Sequence, residues 1–437
     1  MKIENLRVPQ DCGYMILPDG KYYSLNDRKT YLNNNVLVVG TTGAAKTRTM
    51  VTPNLLEAYS SYVVTDPKGN LYRKWGGEME KKGYRVVRLS FIHPEYSAHY
   101  NPLMYLHTSQ DIQTIAGALT PGNFHEDPFW TYTSRMLLSS LIGCLKERAD
   151  YEIRHGITPK EAYSSLVFQN VLRLLEFGKQ KSDYDPDSAS ALKTLMEQHE
   201  EIIPGSWAAK QFRQLSVAAD RTWNSIAISA VSELSTFDTL ELKKMMRKDD
   251  LDLASIGQRR TAVFVEVSDT DRSMDRLINL FFTQAMHELC TYADEKCPSH
   301  QLPVPVRFIM DDFATNCRID NFGNMISNIR SRKISAIIVL QSLKQLVHGY
   351  GENASTIADD CDTLIYMGGN DPETAYSIAL RVDRTTSTIL HMEVGTSWIM
   401  RRGEKPYNCR NFDLDDYIRA KAGGKKLLTE ENREKEC

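Results

Sequence analysis

The sequence has no apolar run approaching the roughly 18–20 residues that a membrane-crossing helix needs. Its first residues lack the charged-then-apolar pattern of a secretory leader. A soluble, cytosolic chain is expected from these two absences. Eight cysteines are scattered through 437 residues without a C-x-x-C, and Cys290 and Cys297 are the closest pair. That pattern excludes a disulfide scaffold and fits a reducing compartment. Ten histidines show no metal-ligand spacing, which argues against a structural zinc. Neither sign of charge dominates: 53 Lys and Arg stand against 56 Asp and Glu, a net −3. Bulk charge therefore marks no nucleic-acid binder. Any nucleic acid must be handled by local basic patches or by the central channel of an oligomer.

What is present is ordinary globular material, 42% hydrophobic and 25% charged. The length exceeds one compact domain, so two are expected, one inserted in the other. Val36-Leu37-Val38-Val39 is a β-branched run suited to a strand buried on both faces. Similar runs stand at 62–65, 85–89, 262–265, 306–310, 336–340 and 364–367, with helical patterns between several of them. Alternation of this kind predicts an α/β fold with a mostly parallel, doubly wound sheet. Tyr22-Tyr23-Ser24 suggests a small hairpin element ahead of it.

The stretch from about Leu106 to Asp250 shows no strand pattern. Asp127-Pro128 opens a helix with an acidic cap and a first-turn proline, and Phe129, Trp130, Met136, Leu137, Leu141 and Leu145 follow as an apolar stripe. Thr158-Pro159-Lys160-Glu161 has the form of a capping box, and no proline interrupts 207–246. The expected organisation is therefore 1–105 as the first part of a nucleotide-binding domain and 106–255 as an all-α domain. Residues 256–420 form the second part, and 421–437 a charged, mobile tail.

Gly40-Thr41-Thr42-Gly43-Ala44-Ala45-Lys46-Thr47 follows the first buried run and fits G-x-x-x-x-G-K-[ST] with one change, Ala45 for glycine. In such a loop successive amides at a helix N-terminus surround a phosphate, and the helix dipole favours its charge. Lys46 reaches the β- and γ-phosphates, and the Thr47 hydroxyl is a ligand for Mg²⁺. The plain alternative is a glycine-containing strand-to-helix turn. A methyl at position 45 costs on the order of 1 kcal/mol if the backbone there needs a positive φ, and almost nothing if it is right-handed.

A second strand ends at Asp311-Asp312-Phe313-Ala314. Asp311 is placed to hold Mg²⁺ and Asp312 to polarise the attacking water as general base. Acid at a helix N-terminus, favoured by the dipole alone, is the competing reading. The next strand ends at Gln341-Ser342, with Gln345 just beyond, and Gln341 is a candidate γ-phosphate sensor. Ahead of that strand, Arg330, Arg332 and Lys333 are either a solvated helix end or, for Arg330, an arginine finger aimed at a neighbouring subunit's nucleotide. Asp66 and Lys68, at another strand's carboxyl end, either line the nucleotide site or form a Pro-Lys-Gly turn.

These pieces in this order resemble the TraG-like type IV coupling proteins, ATPases of conjugation and type IV secretion. The matching segments are Asn35–Gly40 running into Lys46-Thr47-Arg48, then Pro53-Asn54, Val64–Gly69, Asn101-Pro102-Leu103, Asp127-Pro128-Phe129-Trp130, Asp311–Ala314, Ile329–Arg332 and Leu340-Gln341-Ser342. They extend over most of the chain, from about Gly20 to Tyr417. The resemblance implies a RecA-like P-loop motor domain and an inserted all-α domain that engages relaxase and other DNA-processing proteins. It also implies ATP with Mg²⁺, a homo-hexameric ring around single-stranded or plasmid DNA, and contact with the secretion channel. The implied site includes Arg48 in the nucleotide-binding loop. Family members usually carry N-terminal membrane helices, so the implied location is the cytoplasmic face of a bacterial membrane. Contact with that membrane would then run through an N-terminal anchor missing here or through a partner protein. Ala45 and Asp312 depart from the commoner family residues and bear on hydrolysis rate. Two other readings stand beside this one: an FtsK-like DNA translocase, and a weakly hydrolysing docking platform.

Overall fold

The computed structural model describes residues 13–120, 127–177, 191–215, 220–313, 315 and 317–422. Ala314 and most of the expected charged tail, from 423 onward, lie outside the described residues. Among the described residues the strands, in chain order, are β1 (Tyr14–Ile16), β2 (Tyr22–Ser24), β3 (Val36–Val39), β4 (Ser61–Pro67), β5 (Arg85–Ser90), β6 (Thr261–Val267), β7 (Val306–Met310), β8 (Ile334–Leu340), β9 (Thr363–Tyr366), β10 (Thr396–Arg401) and β11 (Tyr407–Arg410). Nine of them make one sheet in the order β11-β10-β9-β3-β8-β7-β4-β6-β5. All seven runs read from the sequence are among those nine. β9, β3, β8, β7, β4 and β6 pair in parallel. The fold is thus α/β with a mostly parallel sheet.

β-branched and aliphatic side chains on both faces explain why the central strands are buried almost throughout. One face carries Val36, Val38, Val64, Ile309, Ile337, Val339 and Ile365. It packs against Met50, Val51 and Leu55 of the helical segment after the glycine loop, and against Met15, Ile16 and Tyr417. That segment begins with a π-helical turn over Thr47–Val51 and continues as α-helix over Thr52–Leu56. Pro53 has no amide hydrogen to complete an ordinary ladder, and the wider turn accommodates it.

β10 and β11 were not legible as strands. They add antiparallel to the β9 edge, and β11 alternates half-buried and exposed residues as an edge strand does. The β1–β2 hairpin, partly anticipated at Tyr22-Tyr23-Ser24, is antiparallel. The Tyr23 and Tyr407 hydroxyls lie 2.6 Å apart and both donate to Asp19 Oδ2. The Arg401 guanidinium sits 4.3 Å from the Tyr23 ring centre. Hydrogen bonds and a cation–π contact thus fasten the hairpin to the antiparallel edge.

The chain divides into two compact units: Met1–Arg88 with Leu253–Asp269 and Ala285–Cys437, and Leu89–Asp252 with Thr270–Gln284. The second contains several helices. Its longest, Pro128–Arg154, is capped by Asp127, whose carboxylate accepts from Phe129 N at 2.9 Å. Helix Trp207–Leu215 crosses it at Gly143, where a Cβ would stand 3.1 Å from the Trp207 ring, so glycine lets the two helices approach closely. One turn on, Glu147 accepts from Ser206 Oγ at 2.5 Å and from Trp207 N at 2.9 Å, and pairs with buried His199 at 2.9 Å. Burial pushes the Glu147 carboxyl up, but these donors outweigh it and hold it below its usual range. Thr158 and Glu161 form the capping box that their spacing predicts.

Candidate functional site

Parallel strands end on a common edge, and in an open α/β sheet that edge receives ligands. β3 delivers Gly40 there. The Gly40 amide donates to Leu340 O at 3.1 Å and the Thr41 amide to Gly368 O at 2.9 Å, which pins the loop start between β8 and the end of β9. A Cβ on Gly40 would stand 3.0 Å from Met367 Cβ and 3.2 Å from Ala44 Cβ, so a larger residue here would push these neighbours aside by a few tenths of an ångström. Thr41, Thr42, Gly43 and Ala45 are exposed, Ala44 is half-buried, and Gly43 has φ +86°. Ala45 has φ +63°. That decides the open question about this residue: its methyl group sits where glycine is favoured.

Lys46 is buried beneath the loop. Its Nζ donates to Gly40 O at 2.6 Å and Thr41 O at 3.1 Å. Burial lowers its pKa, opposed by the charges of Asp312 and Asp311. The Thr47 hydroxyl donates to Asp311 Oδ2 at 2.6 Å. Burial raises the Asp311 carboxyl, the Thr47 bond opposes this, and the Asp312 charge adds to it. Thr65 of β4 exchanges two bonds with the Asp311 backbone: its hydroxyl accepts from Asp311 N at 2.6 Å and donates to Asp311 O at 3.1 Å. This clamp was not legible beforehand, since a threonine inside an apolar strand reads as core.

Asp312 turns the chain with φ +52°. The next residue, Phe313, returns its amide to Val339 O at 2.9 Å, and its buried ring stacks on Tyr350. Gln341, at the end of β8, donates from Nε2 to Asp312 Oδ1 at 3.2 Å, and its amide is held by Gln345 Oε1 at 2.8 Å. Lys46, Thr47, Asp311, Asp312 and Gln341, which span nearly 300 positions of sequence, therefore converge on one edge. A hydroxyl and a carboxylate in contact are hard oxygen donors suited to Mg²⁺, and the ammonium above them is placed for phosphate oxygens.

Other expected residues lie elsewhere. The Arg48 guanidinium turns to Asp415 Oδ2 at 3.4 Å and Asp413 Oδ2 at 3.9 Å. Asp66 accepts from Leu71 N at 2.8 Å and Tyr72 N at 2.7 Å, capping helix Asn70–Lys81. Lys68 pairs with Asp269 at 2.8 Å. These last two residues realise the turn reading. Arg330 precedes β8, at the opposite end of that strand from Gln341, about 20 Å away at the usual rise per residue. Its guanidinium pairs with Asp27 at 3.2 Å.

A family model described as "Type IV secretory system Conjugative DNA transfer" matches residues 3–393. The chain belongs to this family of type IV secretory conjugative DNA transfer proteins. It is 23% identical over 408 residues to the conjugal transfer protein TraG of Escherichia coli, covering 87% of this chain and 59% of that protein. The chain thus spans less than two thirds of that relative's length. Among solved structures it is similar to the plasmid coupling protein TrwB in complex with a non-hydrolysable ATP analogue (TM-score 0.63, 16% identity, 91% of this chain and 89% of that one). It is also similar to TrwB in complex with ADP and Mg²⁺ (TM-score 0.62, 16% identity, the same coverage). At that identity the likeness shows a shared fold. No described helix of this family member is long and apolar enough to cross a membrane.

Proposed function

We propose that this chain is the ATP-dependent coupling motor of a conjugative or type IV secretion system. It recruits a relaxase–DNA complex or protein substrate and drives it into the channel. The observation that carries the reading is the convergence of Lys46, Thr47, Asp311, Asp312 and Gln341 at the carboxyl ends of β3, β7 and β8. TrwB, whose fold is similar, has been captured with ADP and Mg²⁺, which supports the same ligands here.

Thr47 and Asp311 would hold the metal ion, which when bound would neutralise phosphate charge. The loop amides from Thr41 to Thr47 and the Lys46 ammonium orient the phosphates. Lys46 exchanges its two loop carbonyls for phosphate oxygens as nucleotide enters, so its charge is already on site. Asp312 accepts the proton of the attacking water, and Gln341, bonded to Asp312, reports the state of the γ-phosphate. Arg330 lies at the far edge of its own sheet, so its finger role requires a neighbouring subunit of a homo-hexamer. The helical unit engages relaxase and other processing proteins, the ring encloses single-stranded or plasmid DNA, and an N-terminal anchor or partner holds the assembly at the membrane.

Steady-state ATP hydrolysis, with and without single-stranded DNA and beside Lys46→Ala, tests this reading. DNA-stimulated, Lys46-dependent turnover is expected. The methyl of Ala45 at positive φ and the short Asp312 side chain favour a second reading, a docking platform that binds nucleotide without turning it over. Mg²⁺-dependent nucleotide binding with no hydrolysis in an assembled ring would establish the platform instead.

A further inference from the structure

The opposite edge of the same sheet holds a cavity of about 500 Å³ at the amino ends of β4, β7 and β8. Among the described residues, five cationic side chains line it, Arg28, Arg260, Arg307, Arg330 and Lys333, and a single carboxylate, Asp27. Asp27 is already paired with Arg330. Among the described residues, Arg28, Arg260, Arg307 and Lys333 have no carboxylate partner.

Arg307 is the unusual member. It interrupts the apolar strand Val306-Arg307-Phe308-Ile309-Met310 and is 3% exposed. Its Nε donates to Ser335 Oγ at 3.1 Å. Burial lowers its pKa. A buried guanidinium without a counter-charge is costly, and an apolar side chain would pack there at less cost. A guanidinium fork matches the geometry of a phosphoryl group, and the rim supplies charge for a dianion. The volume lies within the range of small-ligand sites, larger than a bare phosphate needs.

We propose that this cavity binds a phosphoryl group, with Arg307 as the buried anchor and Arg28, Arg260 and Lys333 as the rim. The site is separate from the Lys46 loop by the length of the strands, and it does not depend on the proposed motor function. The ligand is either a free phosphorylated small molecule or the phosphorylated end of a nucleic-acid strand.

The test uses the full chain carrying Lys46→Ala, which silences the phosphate loop, at concentrations where light scattering shows a monomer. Inorganic pyrophosphate is titrated by calorimetry into this chain, and binding is expected. Adding Arg307→Met should weaken it at least about tenfold, the loss expected for a buried charge-assisted contact. The surface pair Arg260→Glu and Lys333→Glu, which leaves the strand intact, should weaken it comparably. A short 5′-phosphorylated oligonucleotide binding better than its 5′-hydroxyl counterpart assigns the ligand to a nucleic-acid end, whereas equal binding of the two assigns it to a free small molecule. Absence of binding up to about 10 mM pyrophosphate overturns the proposal. So does affinity unchanged by both sets of substitutions, or binding that appears only in oligomers.

Discussion

The two edges of the sheet present opposite solutions to the handling of negative charge. At the carboxyl edge, an exposed loop of backbone amides, one buried ammonium and two carboxylates lie together, and the carboxylates call for a metal ion. At the amino edge, side-chain cations outnumber carboxylates five to one among the described residues, and the most buried of them, Arg307, sits inside a strand. The difference teaches where each kind of site can be built. Amides converge where strands turn into helices, so the loop of the first site is written in contiguous sequence, although its carboxylates come from the end of β7. The second is assembled from residues that share only a tertiary neighbourhood.

The largest expected effect lies at the carboxyl edge. Lys46→Ala should lower ATP hydrolysis by about 10²–10³-fold, the usual loss when one donor to developing charge is removed. Asp312→Asn should lower it by about 10²–10⁴-fold, as for a general base, with ADP affinity held. Steady-state turnover and ADP calorimetry check both, and an unaffected rate in Asp312→Asn would refute its role as base. At the amino edge the sign reverses. Arg307→Met should raise stability by about 1–4 kcal/mol in urea denaturation without added anion, because a buried charge is replaced by apolar volume. Nucleotide affinity should stay unchanged, since the two sites are too far apart to couple. Loss of stability in that variant would mean the guanidinium has a compensating partner in the native chain.

Asp66 sharpens the comparison within the carboxyl edge, since it ends a strand there yet serves a helix. Burial raises its carboxyl to about 6, against the amides of Tyr72 and Leu71. The native state therefore keeps this proton at pH values where the unfolded chain, ionising near pH 4, has lost it. Its contribution to stability falls as pH rises from about 4 to about 6, by roughly 2–3 kcal/mol. Relative to wild type, Asp66→Asn should gain that amount across this window in pH-dependent denaturation. Parallel curves would remove the assignment. The smallest effect is at Ala45, where φ is +63°. Ala45→Gly should relieve on the order of 1 kcal/mol of strain, seen as up to about fivefold tighter nucleotide binding. Clear weakening in that variant would contradict the backbone argument.

Much of the molecule was readable before its structure was known, and the pattern of misses has physical causes. The seven buried strands announced themselves because a parallel sheet demands apolar residues on both faces. β10 and β11 did not, because an antiparallel edge tolerates polar residues: Thr396, Ser397 and Asn408 stand in them. The placement of Lys46, Thr47 and the Asp311–Asp312 pair at strand ends was legible from spacing. Thr65 was not, since only the pairing of β4 with β7 brings its hydroxyl to the Asp311 backbone. The alternatives at Asp66 and Lys68 could be separated only by finding which amides and carboxylates they meet.

The sequence by itself determined the order of the seven buried strands, the glycine-containing loop after the first of them and the residue types set beside it, because these rest on local periodicity and on residues adjacent along the chain. Tertiary structure alone decided that Ala45 is left-handed, that Arg48 faces two aspartates, and that Arg307 lines a cavity without a carboxylate partner among the described residues. Each of those facts is a relation between backbones or charges far apart in sequence, and such relations exist only once the chain has packed.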